Sequence, residues 1–322
     1  MLDAQFGAGN VAIASADAKR EKILFAISGQ GQVPAYYLFD TVSGDVSLIT
    51  WSSETLKNAQ LNPVKTFRYT ASDGKSIEAI LTLPRHHMGE KNRPLIVMPH
   101  GGPWARDDAD WDNYQWAQAL AEYGYVVVQP NYRGSTGYGK EFGKAVDGNW
   151  GLRMQDDLND VIPWLAKDGT IDPKRVCMVG WSYGGYAALQ SPALDPDLFK
   201  AIVAIAPVTD LETLRSEALG FTSYDMVSKF IGSGPHVKEG SPAQNAQKIK
   251  APVLMFHGDR DLNVGIGESR LMASKLRGAG KSVELVEFKG LDHQLEDNGA
   301  RAQMLDKSDA FLRTALKLPA RP

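Results

Sequence analysis

One cysteine and six histidines are all that 322 residues hold of the side chains best suited to soft metals or redox work. Cys177 has no partner for an internal disulfide. It lies in the apolar run Arg175-Val-Cys-Met-Val, where a small buried hydrophobe is expected rather than a reactive thiol. Neither sign of charge dominates: 35 Lys and Arg stand against 38 Asp and Glu, a formal charge of −3. The basic surface that a polyanion requires is therefore missing, and nucleic acid is excluded as a partner. No apolar stretch approaches the roughly 18 residues of a membrane span, and the opening MLDAQFGAGN has no basic segment followed by an apolar one. These absences lead to the expectation of a soluble, cytoplasmic protein with no membrane, cofactor or metal in its chemistry.

What is present changes texture along the chain. Residues 23–50 hold three β-type runs, ILFAIS, AYYLFD and VSLIT, separated by GQGQVP and by TVSGD. Such a meander looks like one propeller blade, but no second copy follows at the spacing of about 40 to 50 residues that a propeller needs. After the break at Asn62-Pro63, a hairpin is expected to turn at Asp73-Gly74. From PLIVMP (94–99) onward, apolar strands alternate with amphipathic segments: WDNYQWAQALAEY (111–123), YVVVQP (125–130), MQDDLNDVIPWLA (154–166), RVCMVG (175–180), AIVAIAP (201–207), PVLMFHG (252–258), GESRLMASKLRGAG (267–280), VELVEF (283–288) and a last helix near 299–317. Continuous apolar strands separated by helices imply an α/β protein, with a mostly parallel sheet covered on both faces and its chemistry in loops at the carboxyl ends of strands. Residues 210–250 are long enough to add helices over such a site.

Gly180-Trp181-Ser182-Tyr183-Gly184 fits Gly-x-Ser-x-Gly, with the strand RVCMVG before it and a helix beginning near Gly185. A sharp strand-to-helix turn strains the serine and leaves no space for a β-carbon beside it, which is why glycine flanks it. A serine hydroxyl is a weak nucleophile at neutral pH; it needs a base, and the base needs an acid to hold its tautomer. In this setting the chain order is Ser, then Asp or Glu, then His. His86, His87 and His100 precede the serine, His236 precedes the strand that should carry the acid, and His257 closes that strand, which leaves His293. The loop after PVLMFHG offers Asp259 and Asp261, and spacing alone does not choose between them. Asp292 is too near His293 in sequence to turn and orient it. The amide of Tyr183, after the nucleophile, supplies one donor for a developing oxyanion, and the loop His100-Gly101-Gly102-Pro103 is placed to supply the second.

Taken together, His100-Gly-Gly-Pro, Asn131-Tyr-Arg-Gly-Ser-Thr-Gly-Tyr-Gly139, the Ser182 motif running on to Gly185-Tyr186, Ser241-Pro-Ala, His257-Gly-Asp-Arg-Asp-Leu-Asn-Val264 and Asp292-His293 resemble the catalytic domain of the prolyl oligopeptidase family, its acylaminoacyl- and dipeptidyl-peptidase branches most closely. The resemblance implies an α/β-hydrolase fold with an eight-stranded sheet over residues 62–318, preceded by residues 1–61 as a single-blade meander or extension. It selects Asp261 as the acid and leaves Asp259 to structure the loop. It also implies Ser182 as nucleophile, His293 as base and then acid, and the Gly102 and Tyr183 amides as the oxyanion hole. Asn263 matches a position that contacts a substrate carbonyl, and Val208 and Val264 match walls of the specificity pocket. Three departures stand out. Leu211 and Leu214 replace aromatic residues that grip proline, so a broader aliphatic pocket is expected. Gly265 stands where proline is frequent, and at most one propeller blade precedes the hydrolase part.

The resemblance favours a serine hydrolase acting on a small peptide or ester, with self-association left open. A peptidase acting on short or N-acylated peptides is the first reading, a carboxylesterase the second. A catalytically inactive assembly module is the third, and the filled triad positions argue against it. The YRGSTGYG loop lacks the Lys-Ser/Thr of a phosphate cradle, and Arg133 is expected to anchor it through an ion pair. DDADWDN (107–113) fits no calcium loop and reads as a solvated helix start. Trp104, Trp111 and Trp181 are candidates for substrate walls.

Overall fold

The computed structural model describes residues 11–29, 32–110 and 116–321. Its first strands are β1 (Val11–Ala16), β2 (Lys22–Gly29), β3 (Gln32–Asp40) and β4 (Val46–Trp51), paired in that order as an antiparallel meander. The sequence reading had three of these four strands. It passed over β1, whose VAIASA alternates too weakly to register and which pairs across Asp17-Ala18-Lys19-Arg20 with β2.

The second sheet begins with the expected hairpin, β5 (Val64–Thr70) and β6 (Ser76–Thr82), closed by Gly74 N–H on the Ala71 carbonyl at 2.8 Å. Six parallel strands follow: β7 (Arg93–Val97), β8 (Val126–Asn131), β9 (Ile171–Trp181), β10 (Ile202–Ile205), β11 (Val253–Gly258) and β12 (Val283–Phe288). The order across the sheet is β12-β11-β10-β9-β7-β8-β6-β5. This is an α/β-hydrolase sheet of eight strands, mostly parallel.

Each inner strand is apolar on both faces, and its period of two feeds two separate cores. Leu95, Val97, Val176, Met178, Ile202, Ala204, Val253 and Met255 enter one, while Ile96, Cys177, Val179, Val203, Ile205, Leu254 and Phe256 enter the other. The first core is covered by α3 (Arg153–Ala166), α4 (Tyr183–Leu194) and α8 (Ile266–Gly278); the second by α1 (Trp116–Glu122) and α9 (Asn298–Leu316). The short α2 (Lys140–Lys144) lies between β8 and α3 in the chain. Burial pushes the Cys177 thiol up to about 12, in keeping with a hydrophobe's role. The start of the helix expected over 111–123, and with it Trp111, lies outside the described residues. Between β10 and β11 the chain adds α5 (Leu211–Glu217), α6 (Tyr224–Ile231) and α7 (Pro235–Glu239), as the length of 210–250 led us to expect.

The chain runs from β7 outward to β8, then returns across β7 to lay down β9 on its other side. Loops leaving the carboxyl ends of β7 and β9 therefore part in opposite directions, and a crevice opens between them.

Candidate active site

Ser182 stands at that crevice, in the bend between β9 and α4, with φ 58° and ψ −120°. This is strained ground for a residue with a β-carbon, and the surroundings enforce it. The Ser182 amide is held by the Ile205 carbonyl at 2.8 Å. A β-carbon on Gly180 would lie 2.1 Å from the Gly184 carbonyl oxygen, and one on Gly184 would lie 2.2 Å from that of Pro99. The bend thus closes only with glycine at both positions, and α4 begins with the Tyr183 amide in its first turn, where backbone N–H groups have no helical acceptor.

The loop after β7 is built on His100. One imidazole nitrogen, Nδ1, meets the Gly101 carbonyl at 2.7 Å and the other, Nε2, meets Ser135 Oγ at 2.7 Å, while the ring stacks on Tyr132. The Tyr132 hydroxyl donates to the His100 carbonyl at 2.8 Å. Burial lowers His100 to about 4, so the ring is neutral at neutral pH and braces the loop. Gly102 follows with φ 121°, a conformation in which a β-carbon would lie 2.8 Å from the Trp104 amide nitrogen. Arg133 anchors the neighbouring loop as expected, bonded to Asp157 at 2.6 Å and to Asp73 at 2.8 Å.

The loop after β11 and the loop after β12 are laced together. The Asp259 amide donates to Phe288, the Arg260 amide to Leu291, and Asp259 Oδ1 accepts the Gly290 amide at 2.6 Å. Asp259 is therefore spent on loop structure. Asp261 Oδ2 instead meets His293 Nδ1 at 2.6 Å, and its Oδ1 accepts the amides of Asn263 at 2.8 Å and Val264 at 2.9 Å. Asp292 accepts the Gln294 amide. Burial opposes charge on Asp261, yet the bonds from His257, His293 and the Val264 amide prevail and hold its carboxyl well below the usual carboxylate range. An anionic acceptor on Nδ1 keeps the proton there and leaves Nε2 of His293 free to act as a base. The loop after β12 is tied to the elbow by the Trp181 indole N–H, which donates to the His293 carbonyl at 3.1 Å.

Ser182 and His293 line one cavity of about 610 Å³, with His100, Gly101, Gly102, Trp181, Asn263 and Gln294 also in its wall. Among the described residues no hydrogen bond joins Ser182 Oγ to His293; such contacts are often long until substrate is bound. Of the positions matched to substrate contacts, Asn263, matched to one that meets a substrate carbonyl, is in this cavity. Val208, Val264 and Leu211 are buried in the first core and Leu214 packs against it, none of them in the cavity wall. Tyr183 directs its side chain into the same core, where its hydroxyl meets Met154 Sδ. Trp104 is not in the wall either; it stacks on Phe230.

Two groups escaped the sequence reading. His257, set aside because it closes β11, is fully buried against Asp261. A histidine at the end of an otherwise apolar strand was the available signal. Glu268, on α8, is also fully buried; its Oε2 accepts the Thr209 amide and hydroxyl, both at 2.7 Å, and the Asp210 amide at 2.9 Å. Burial raises its carboxyl to about 7 in spite of these bonds. Gly265 lies against Glu217 of α5, whose Oε1 would be 2.8 Å from a β-carbon built there.

Comparison with known proteins agrees with this geometry. Among curated proteins, dipeptidyl aminopeptidase BIII of Pseudoxanthomonas mexicana is 32% identical over 303 residues, covering 89% of this chain and 43% of that protein. The acylamino-acid-releasing enzyme of Rattus norvegicus is 25% identical over 250 residues, covering 75% of this chain and 33% of the enzyme. The chain thus spans less than half the length of these relatives. Of solved structures, a puromycin-hydrolyzing peptidase of Mycobacterium tuberculosis superposes with a TM-score of 0.84 at 24% identity, over 94% of this chain and 47% of that one, which speaks to the fold. The prolyl oligopeptidase family model matches residues 111–319, and with the serine elbow, the paired Asp261 and His293 and the glycine loop of His100 all at one end of the sheet, the chain belongs to the prolyl oligopeptidase family.

Proposed function

We propose that this chain is a serine peptidase that cleaves short or N-acylated peptides through an acyl-enzyme. The observation that carries the reading is the 2.6 Å contact between His293 Nδ1 and Asp261 in the cavity that also holds Ser182. In this reading His293 Nε2 takes the Ser182 proton as Oγ attacks the acyl carbon. The Gly102 and Tyr183 amides receive the oxyanion, and His293 then returns the proton to the departing amine. Water repeats the cycle on the acyl-enzyme. Residues 62–318 carry the chemistry, and Asn263, in the cavity wall, is the residue best placed to meet a substrate carbonyl. The relatives are named for dipeptidyl and acylamino-acid release, which favours peptides over esters. A cytoplasmic setting belongs to the same proposal. No helix among the described residues is long and apolar enough to cross a membrane.

A fluorophosphonate should label Ser182 and fail to label Ser182→Ala. Asp261→Asn should lower kcat by roughly 10⁴-fold, because the imidazole loses the acceptor that fixes its tautomer. Turnover of acyl-aminoacyl anilides would support the peptidase reading; turnover of p-nitrophenyl esters alone would sink it in favour of an esterase.

A further inference from the structure

Building on the proposed roles of Ser182, His293 and Asp261, we propose that His257 is a positioning residue for the acid: its Nε2–H clamps the Asp261 carboxylate and draws off part of the charge that His293 would otherwise feel. Asp261 Oδ2 lies between two imidazoles, with His293 Nδ1 at 2.6 Å and His257 Nε2 at 3.1 Å. His257 Nε2 is also 2.9 Å from the Val264 carbonyl. Both of these neighbours can only accept, so Nε2 must carry the hydrogen and share it between them. On the far side of the ring, Nδ1 meets Ser269 Oγ at 2.7 Å, a hydroxyl able to donate to it. The Asp261 carboxylate and the Val264 carbonyl therefore hold the hydrogen on Nε2, and the Ser269 hydroxyl supports the ring from its other side.

The four donors on Asp261 divide evenly. Oδ1 takes the Asn263 and Val264 amides, which belong to its own loop, and Oδ2 takes the two rings. The amides fix where the carboxylate sits. His257, rooted in the rigid end of β11, fixes its rotation about the bond that aims Oδ2 at His293. Side chains of His257 and Asp261 are both fully buried, so water cannot stand in for either partner.

The charged groups around the cluster are few. Glu217 faces Asp261 and His257 from α5, and Glu287 faces His257 from β12 while paired with Arg270. Glu268 precedes Ser269 on α8, and Asp259, Arg260 and Asp292 lie on the two loops. None of these donates to Oδ2. Removing the His257 donor should therefore pass the Asp261 charge to His293 and stabilise its imidazolium, so that a higher pH is needed to free the base.

The test is the pH dependence of the second-order rate constant for Ser182 labelling by a fluorophosphonate, in the unaltered chain and in His257→Phe, His257→Gln and Ser269→Ala, with folding followed by circular dichroism. His257→Phe should lower the plateau by at least roughly tenfold and move the acidic limb to higher pH by about half a unit or more. His257→Gln, whose amide N–H can replace Nε2–H, should restore both in large part. Ser269→Ala should move the limb the same way by less, and it carries the test alone if the Phe variant does not fold. Profiles that superimpose on the unaltered one after scaling, or a limb that moves to lower pH, would reduce His257 to packing and overturn the inference while Ser182 remains labelled. An unaltered chain that takes no label at Ser182 would instead overturn the functional reading beneath it.

Discussion

Glu268 holds its proton more tightly in the fold than in the open chain, because burial penalises its charge by more than three donors on one oxygen recover. The sign follows from linkage. A carboxyl raised from its ordinary 4.5 to about 7 contributes stability that is complete below the lower value and lost as pH climbs through the upper one. We expect the melting temperature of the unaltered chain to fall between about pH 5 and about pH 8 more steeply than that of Glu268→Gln, which keeps an acceptor oxygen and cannot ionise. Parallel slopes for the two proteins would mean that Glu268 does not titrate there. At this scale chain order nominates Ser182 and His293, which the fold brings into one cavity, and it leaves the choice open where two candidates share a loop. Asp259 and Asp261 are two residues apart, and what separates them is which loop amide or ring each meets, a matter of tertiary packing. His257 and Glu268 act through partners remote in sequence, Asp261 and Thr209 among them, so no local pattern announces them.

Between β9 and α4 the chain turns with glycines whose missing β-carbons are filled by backbone oxygen, and backbone cannot step aside. Gly184→Ala should therefore cost about 3 kcal/mol in urea unfolding, at the upper end of overpacking penalties, and should slow fluorophosphonate labelling as well. Gly265→Ala offers the contrast. Its new carbon would meet Glu217 Oε1 at 2.8 Å, but that atom is the end of a flexible side chain, so the cost should stay within about 1 kcal/mol. Equal losses in the two variants would show that the elbow is no tighter than an ordinary loop. Elements with strong alternation or long apolar runs were plain in the sequence. β1 was not, because most of its side chains are exposed and no buried face imposes a period on VAIASA.

Taken whole, the molecule sets a four-stranded meander before an eight-stranded sheet, and the chain enters the second at Asn62. There the Asn62 amide donates to Gln118 Oε1 at 2.8 Å and Asn62 Oδ1 accepts the Arg85 amide, so this residue already belongs to the larger unit. A chain starting at residue 62 should keep its circular dichroism and its reactivity toward fluorophosphonate; loss of both would move the boundary and make the meander part of the hydrolase. The order of strands was beyond the sequence, since nothing local says that β9 crosses back over β7. That crossing has a cost for durability. The hydroxyl and its glycine-loop neighbour stand on central strands, whereas the imidazole hangs from β12 at the rim and its carboxylate from β11, one strand in. A slight slip of that edge strand by heat or solvent would part His293 from Ser182 while most of the core stayed intact, so fluorophosphonate labelling should be lost ahead of melting.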